Sequence, residues 1–245
     1  MKKEKAMRID KFISDAGIAS RRECSRAARA GQLLVDGVAV KDVSAHINPE
    51  VQSVCFMGHA VEYKKFVYVL LNKPEGYVSA TEDGDFPAVT ELLPEQLRRR
   101  GLFPVGRLDK DTLGVMLLTD DGKLAHSVLS PARHVKKVYR FGCAVPLAAG
   151  AEAVFAEGVT LRDGYECKSA ELVCDADRMG GEITLTEGKY HQIKRMIASQ
   201  GNRVTALERI SFAGLPYGEL PPRSKWRYLT DEEEAALKAA ALQKD

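Results

Sequence analysis

The stretch GRLDKDTLGVMLLTDDG, Gly106 to Gly122, constrains this chain more than any other segment. Val115 to Thr119 is a short apolar run of strand length. Asp120-Asp121-Gly122 closes it with residues that favour turns and helix starts. Ahead of the run, Gly106-Arg107-Leu108-Asp109 reads as a charged loop, so the expected order is loop, buried strand, turn. A carboxylate just outside a buried strand, with Arg107 two positions before it, can be held rigidly beside a partly desolvated cleft. Active sites are often built this way, and structural ion pairs on surface loops use the same residue types.

Two later segments place polar groups on regular elements. In HVKKVYRFGCAV the alternation puts Lys137, Tyr139 and Phe141 on one strand face, where a tyrosine ordinarily packs. Glu182 to Glu187 reads as a strand, followed by TEGKYHQIKRMIASQGN. A helix starting near Tyr190 puts Tyr190, Ile193, Met196 and Ile197 on one apolar face and His191, Lys194 and Arg195 opposite. Gly201 supplies its stop. A Lys-Arg pair on such a helix ordinarily faces solvent or phosphate.

The net charge of +2 over 245 residues says little about partners. Its distribution says more. Residues 1 to 30 hold nine Lys or Arg against four Asp or Glu, a basic N-terminal module on a near-neutral body. Ile9, Phe12, Ile13 and Ala16 mark one face of a first helix ending at Gly17. Ser20 is placed to cap a second helix that closes at Gly31. Arg21, Arg22, Arg26 and Arg29 give that helix a basic side. Leu33 to Val35 and Val38 to Val40 flank Asp36-Gly37, a two-residue hairpin signal.

The literal strings add a resemblance. Gly106 to Gly122 resembles the G-R-L-D-x-x-T-x-G-L-L-L-L-T-N-D-G signature of bacterial pseudouridine synthases that modify ribosomal RNA, departing at Val115, Met116 and Asp120. Lys137-Val138-Tyr139 resembles that family's K-x-Y motif. Glu187-Gly188-Lys189-Tyr190-His191-Gln192-Ile193-Lys194-Arg195-Met196 resembles its third motif in the form typical of small-subunit enzymes. Asn72-Lys73-Pro74 with Gly76 is similar to the segment that opens the synthase domain, although a strand and a turn account for most of those residues. Arg8-Ile9-Asp10-Lys11-Phe12, Ala19-Ser20-Arg21-Arg22 and Val35-Asp36-Gly37 resemble the RNA-binding module named after ribosomal protein S4.

The resemblance implies Asp109 as nucleophile, Lys194 as its ionic partner, Tyr139 stacked on the target base, and Arg107 filling the vacated space or holding a phosphate. An ammonium beside a carboxylate favours the charged form that a nucleophile requires. RNA contacts are implied at Arg8, Lys11, Ser20, Arg21, Arg22 and Arg26, where phosphate neutralisation supplies affinity. Lys189, His191 and Arg195 are further candidates. The expected fold is α+β: an S4-like module over 1–57, a linker over 58–65, and a catalytic domain over 66–245 with a mixed, largely antiparallel sheet.

Within that domain, Phe66 to Leu71 reads as a strand stopped by Pro74, and Ala88 to Leu97 as a helix ended by Arg98-Arg99-Arg100. Asp121 is expected to cap a helix from Lys123 to Leu129. Leu147 to Glu157 reads as another, and Thr230 with Glu233 forms a capping box for a C-terminal one. The expected partner is 16S ribosomal RNA, naked or in a small-subunit assembly intermediate, acted on by a cytoplasmic monomer. A 23S site, or a non-catalytic S4-type assembly factor, is the alternative.

No cofactor is expected, since the sequence shows no Walker loop and no dinucleotide fingerprint. Cys24, Cys55, Cys143, Cys167 and Cys174 are odd in number and form no C-x-x-C pair, so neither zinc nor a disulfide framework is indicated. A hydrolase using Asp109 and Asp111 with a metal lacks the further ligands such a site needs. No apolar run has transmembrane length, and the N-terminus lacks the apolar stretch of a secretory signal.

Overall fold

The computed structural model describes residues 6–62, 64–216 and 220–242, so Lys2, Lys3 and Lys5 of the basic N-terminus lie outside the described residues. The chain forms two compact units, Met1–Val67 with Leu93–Leu102, and Tyr68–Leu92 with Phe103–Asp245.

The first unit begins with β1 (Met7–Arg8), α1 (Ile9–Asp15) and α2 (Arg21–Arg29). The Ser20 hydroxyl accepts the Glu23 N–H at 3.3 Å, and the Glu23 carboxylate accepts the Ser20 N–H at 2.7 Å. This reciprocal box satisfies the free donors at the start of α2. Ile9, Phe12 and Ile13 of α1 meet Cys24, Ala27 and Ala28 of α2 in one buried cluster. Next come β2 (Leu33–Val35), β3 (Val38–Ala39), β4 (His46–Ile47), β5 (Val54–Phe56) and β6 (His59–Val61). Strands β3, β2, β5 and β6 form one antiparallel sheet in that order, and β1 pairs separately with β4. Asp36 and Gly37 both take positive φ (50° and 79°), as a two-residue hairpin of right-twisted strands requires.

Two expectations are corrected here. The linker placed at 58–65 contains β6, which pairs with β5. Met57-Gly58 is the turn between them, with φ of 52° and 84°, so the glycine read as a linker residue closes a hairpin. The helix expected from Ala88 to Leu97 is broken into a short 3₁₀ turn, Val89–Leu92, and α3 (Glu95–Arg100). Pro94 stands at the N-cap of α3 because it has no N–H to continue a helix through. Helix α3 belongs to the first unit and packs on α1. Its basic last turn is as expected, ended by Gly101 in the left-handed conformation.

The second unit is built on a nine-stranded sheet. Its elements are β7 (Tyr68–Lys73), β8 (Phe103–Pro104), β9 (Leu113–Thr119), α4 (Gly122–Leu129), β10 (Lys137–Cys143), α5 (Ala151–Glu157), β11 (Glu171–Cys174) and β12 (Gly180–Leu185). They are followed by α6 (Gln192–Ser199), β13 (Val204–Phe212), β14 (Leu215–Pro216), β15 (Trp226–Tyr228) and α7 (Asp231–Leu242). The main path runs β11, β12, β10, β13, β9, β7, β15, with β14 on β13 and β8 on β9. Every pairing is antiparallel except β9 with β13. The mixed, largely antiparallel sheet is therefore as expected.

Strand β7 is buried along its whole length, and β9 from Gly114 onward. Asp121 caps α4 by accepting the Leu124 N–H at 3.1 Å, and it also accepts the Tyr68 hydroxyl at 2.9 Å. Thr230 and Glu233 cap α7 reciprocally. Helix α5 starts later than expected, at Ala151, because Gly150 takes φ 85° ahead of it. Among the described residues, no helix is long and apolar enough to cross a membrane.

The parallel contact between β9 and β13 sets Gly114 beside Arg209. Gly114 has φ 100°, and a Cβ built there would fall 2.2 Å from the Arg209 carbonyl oxygen. Backbone of β13 occupies that space, so no rotamer change relieves the clash. Gly114→Ala is expected to lower stability by about 2 kcal/mol or more, from strain at positive φ and the forced separation of two core strands. Urea unfolding of wild type and variant measures it.

Candidate active site

Loop 106–112 enters β9 directly, and it is gripped from below by the segment that follows β7. The Lys73 side chain is fully buried. Its Nζ lies 3.1, 3.0, 3.2 and 2.8 Å from the carbonyl oxygens of Pro74, Asp109, Lys110 and Thr112. The Gly76 N–H donates to the Lys110 carbonyl at 2.9 Å. The Ser79 hydroxyl donates to the Leu108 carbonyl at 2.7 Å and accepts the Leu108 N–H at 2.9 Å. Burial pulls the Lys73 pKa down to about 8, against the opposing pull of Asp111 and Asp109.

The loop so held projects the Asp109 carboxylate toward α6. Lys194 Nζ lies 3.1 Å from Asp109 Oδ2 and 2.6 Å from Asp111 Oδ1, so one ammonium serves two carboxylates. Burial acts to lower the Lys194 pKa, but hydrogen bonds to Asp111 and Asp109 more than offset it and hold it above the ordinary lysine value. His191 Nε2 stands 3.6 Å from the same Asp109 oxygen. Helix α6 begins at Gln192, two residues later than the sequence suggests, because His191 takes the left-handed conformation (φ 48°). Ile193, Met196 and Ile197 are buried as expected, whereas Tyr190 lies ahead of the helix and is 73% exposed. Its assignment to the apolar face is corrected.

Arg107, Asp109, Tyr139, His191 and Lys194 line one cleft of about 630 Å³. Tyr139 is buried on β10 with Phe141, as the alternation predicts. Lys137 of the same strand donates to the Val135 carbonyl at 2.9 Å. Burial lowers its pKa to about 8; the nearby Arg209 charge acts the same way, and Glu187 opposes. Arg209 is almost completely buried: its Nε donates to the Val115 carbonyl at 2.8 Å, its guanidinium stands over the Phe212 ring, and Nη2 has no hydrogen-bond partner among the described residues. Burial lowers its pKa, with the neighbouring Tyr139 acting against. Glu187 is also buried and accepts the Tyr165 hydroxyl, the Lys168 N–H and the Gln192 side-chain amide at 2.8, 3.0 and 2.7 Å.

The structure thus gathers Arg107, Asp109, Tyr139 and Lys194 around one space. Arg107 is exposed and makes no ion pair among the described residues. Lys189 is exposed at the cleft, while Arg195 is held by an ion pair to Asp163. Arg8, Lys11, Ser20, Arg21, Arg22 and Arg26 belong to the first unit and are exposed. Arg8 is paired with Asp10 at 2.8 Å, and the Ser20 hydroxyl is occupied as a helix cap. Arg22, Arg26 and Arg29 share one side of α2 by their spacing of four and three. Sequence reasoning gave Lys73, Arg209 and Glu187 no role at the site, although Lys73 and Glu187 fall in the quoted motif strings. A lysine at the end of an otherwise apolar strand run was a further signal.

The depressed Lys137 has a defined pH signature. The folded chain gives up this proton near pH 8, and the unfolded chain keeps it to about 10.5. Between those values the unfolded state binds more protons, so this group's contribution to stability rises with pH. Lys137→Met is therefore expected to be more favourable relative to wild type at pH 7 than at pH 10. Urea unfolding at both pH values measures the difference.

Comparison with known proteins gives the family. Residues 67–199 match the family described as RNA pseudouridylate synthase, and residues 7–52 match the S4 domain. The chain is 39% identical to a Yersinia pestis protein named ribosomal small subunit pseudouridine synthase A, over 96% of this chain and 100% of that one. It is 36% identical to the Escherichia coli protein of the same name, over 94% and 100%. An uncharacterised RNA pseudouridine synthase of Bacillus subtilis, YtzG, is 39% identical over 93% and 96%. A solved pseudouridylate synthase superposes with a TM-score of 0.66 at 34% identity, covering 94% of this chain and 99% of that one. With both modules matched and the relatives aligned nearly end to end, the chain belongs to the RNA pseudouridylate synthase family and is a uridine-isomerising enzyme carrying an S4 domain.

Proposed function

We propose that the enzyme converts a single uridine of 16S ribosomal RNA to pseudouridine in the cytoplasm, acting as a monomer with Asp109 as its nucleophile. The observation that carries this reading is the Asp109 carboxylate, 3.1 Å from the Lys194 ammonium, in a cleft that Tyr139 also lines. Small-subunit specificity is supported by the relatives named for that reaction.

The isomerisation breaks the bond between uracil N1 and ribose C1′, turns the base, and rejoins it through C5, whose proton is lost while N1 regains one. It consumes no redox equivalent and transfers no group from elsewhere. A uridine stacked in a helix cannot present those atoms, so it is extruded into the cleft. Tyr139 supplies an aromatic surface for the extruded base. Lys194 fixes the Asp109 carboxylate through a charge-assisted hydrogen bond. Arg107, exposed and unpaired with any described carboxylate, occupies the vacated stack or holds a backbone phosphate. The arginines of α2 add sequence-independent phosphate affinity.

Pseudouridine mapping of both large rRNAs tests the reading, in cells lacking the protein and complemented with wild type, Asp109→Asn or Lys194→Met. One 16S pseudouridine is expected to disappear and to return only with wild type. With purified proteins, Asp109→Asn is expected to abolish turnover, and Lys194→Met to lower it by about 10²-fold, the order expected for a misplaced reacting group. Loss of a 23S site would keep the chemistry and move the substrate. An unchanged map would leave a binding role in subunit assembly.

A further inference from the structure

We propose that Tyr190, backed by His191, is a stacking platform for an unpaired base of the RNA beside the extruded uridine. The inference rests on the reading of the cleft as the place where that uridine is modified.

Tyr190 is 73% exposed, against 44% for Phe86 and 43% for Tyr228. Its ring lies nearly parallel to the His191 imidazole, with centroids 3.8 Å apart and planes 19° apart. One face of the phenol is thus covered by His191, and no hydrogen bond to its hydroxyl occurs among the described residues. A packing role does not account for a side chain this exposed.

The backbone beneath the platform is braced. His191 holds a left-handed backbone conformation uncommon outside glycine. On either side of it, the Gln192 Oε1 accepts the Lys189 N–H at 2.8 Å, and Gln192 Nε2 donates to the buried Glu187 at 2.7 Å. Arg195 donates to the Tyr190 carbonyl. Backbone strain stabilised by surrounding contacts is concentrated at functional sites. Here it turns two adjacent rings into one stack at the cleft.

The position is also specific. His191 Nε2 is 3.6 Å from Asp109 Oδ2, and Tyr190 lines the same cleft. Extruding a nucleotide removes a stacking partner from each of its neighbours. An aromatic ring one residue from the Asp109 contact can replace that partner, and exposed Lys189 beside it suits a phosphate. Stacking on a phenol accepts any base, so the contribution is to affinity and to holding the opened strand, with little choice of base.

The test uses the full-length enzyme and a 16S fragment containing the mapped uridine. Tyr190→Ala is expected to raise KM and the RNA Kd about tenfold or more, the range of one lost base–aromatic stack. The rate constant at saturating RNA should change less than about threefold on the same basis, since stacking beside the site affects binding. Tyr190→Phe and Tyr190→Trp should restore wild-type affinity. Abasic substitutions at each nucleotide flanking the target then locate the base. At one position, wild type should lose affinity by the same factor as Tyr190→Ala, and the variant should lose no more. Unchanged Kd in Tyr190→Ala, or abasic penalties that multiply with the variant's at every position, would overturn the proposal. Kd is read independently of turnover, so a fragment that wild type binds but does not modify would count against the functional reading alone.

Discussion

The second unit depends on one buried ammonium. Lys73 ends a strand whose every residue is buried, and its Nζ is surrounded by four backbone carbonyls, three of them in the loop that carries Asp109. Taking an ammonium out of water costs several kcal/mol, a cost that only well-placed dipoles can offset. An ammonium has three hydrogens to donate, so four carbonyls within reach leave none of them unsatisfied. The loop cannot shift without exposing that charge to an apolar interior. Gly76 and Ser79 add bonds from the same segment. The stretch after β7, an ordinary turn in outline, is therefore the clamp that fixes where Asp109 stands.

A second consequence follows from the charges around the cleft. Lys73 and Arg209 are cations held out of water and Lys137 is half-buried, and burial lowers the pKa of all three. Lys194 is the exception, raised because two carboxylates face it. Its ammonium is closer to Asp111 than to Asp109. The carboxylate at the cleft is thus positioned by a cation that is itself shared, and Asp111 limits how closely Lys194 can attach to Asp109. Arg209, buried with one nitrogen unpartnered among the described residues, adds positive potential beside Tyr139 at the cleft.

The first unit works by different physics. Its helices α1 and α2 are seven and nine residues long and are stabilised by a shared core and a capping box more than by their own propensity. Exposed arginines on α2 offer charge without a shaped pocket, which suits a phosphate backbone better than a base.

Features built from neighbours in sequence were legible. Ser20 with Glu23, Asp36-Gly37, Asp121 and Thr230 with Glu233 all act within three residues of themselves, so residue type and spacing determine them. The buried strand β9 and the inward face of β10 were equally readable, because neither an unbroken apolar run nor a period of two needs a distant partner. The motif strings carried the rest of the reading, including the α+β fold and the residues gathered at the cleft. Where a partner is remote, reading failed. Lys73 meets a loop some 36 residues away, Arg209 a strand 94 residues away, and Met57-Gly58 is a hairpin only because β6 finds β5. Tyr190 was assigned inward on helical spacing, and the left-handed His191 sent it outward. By itself the sequence determined local structure and family, and it named the residues that the cleft brings together. Tertiary structure decided which cation clamps the loop, which carboxylates share Lys194 and which aromatic ring stands exposed at the cleft, because burial and charge pairing depend on segments the chain brings together only on folding.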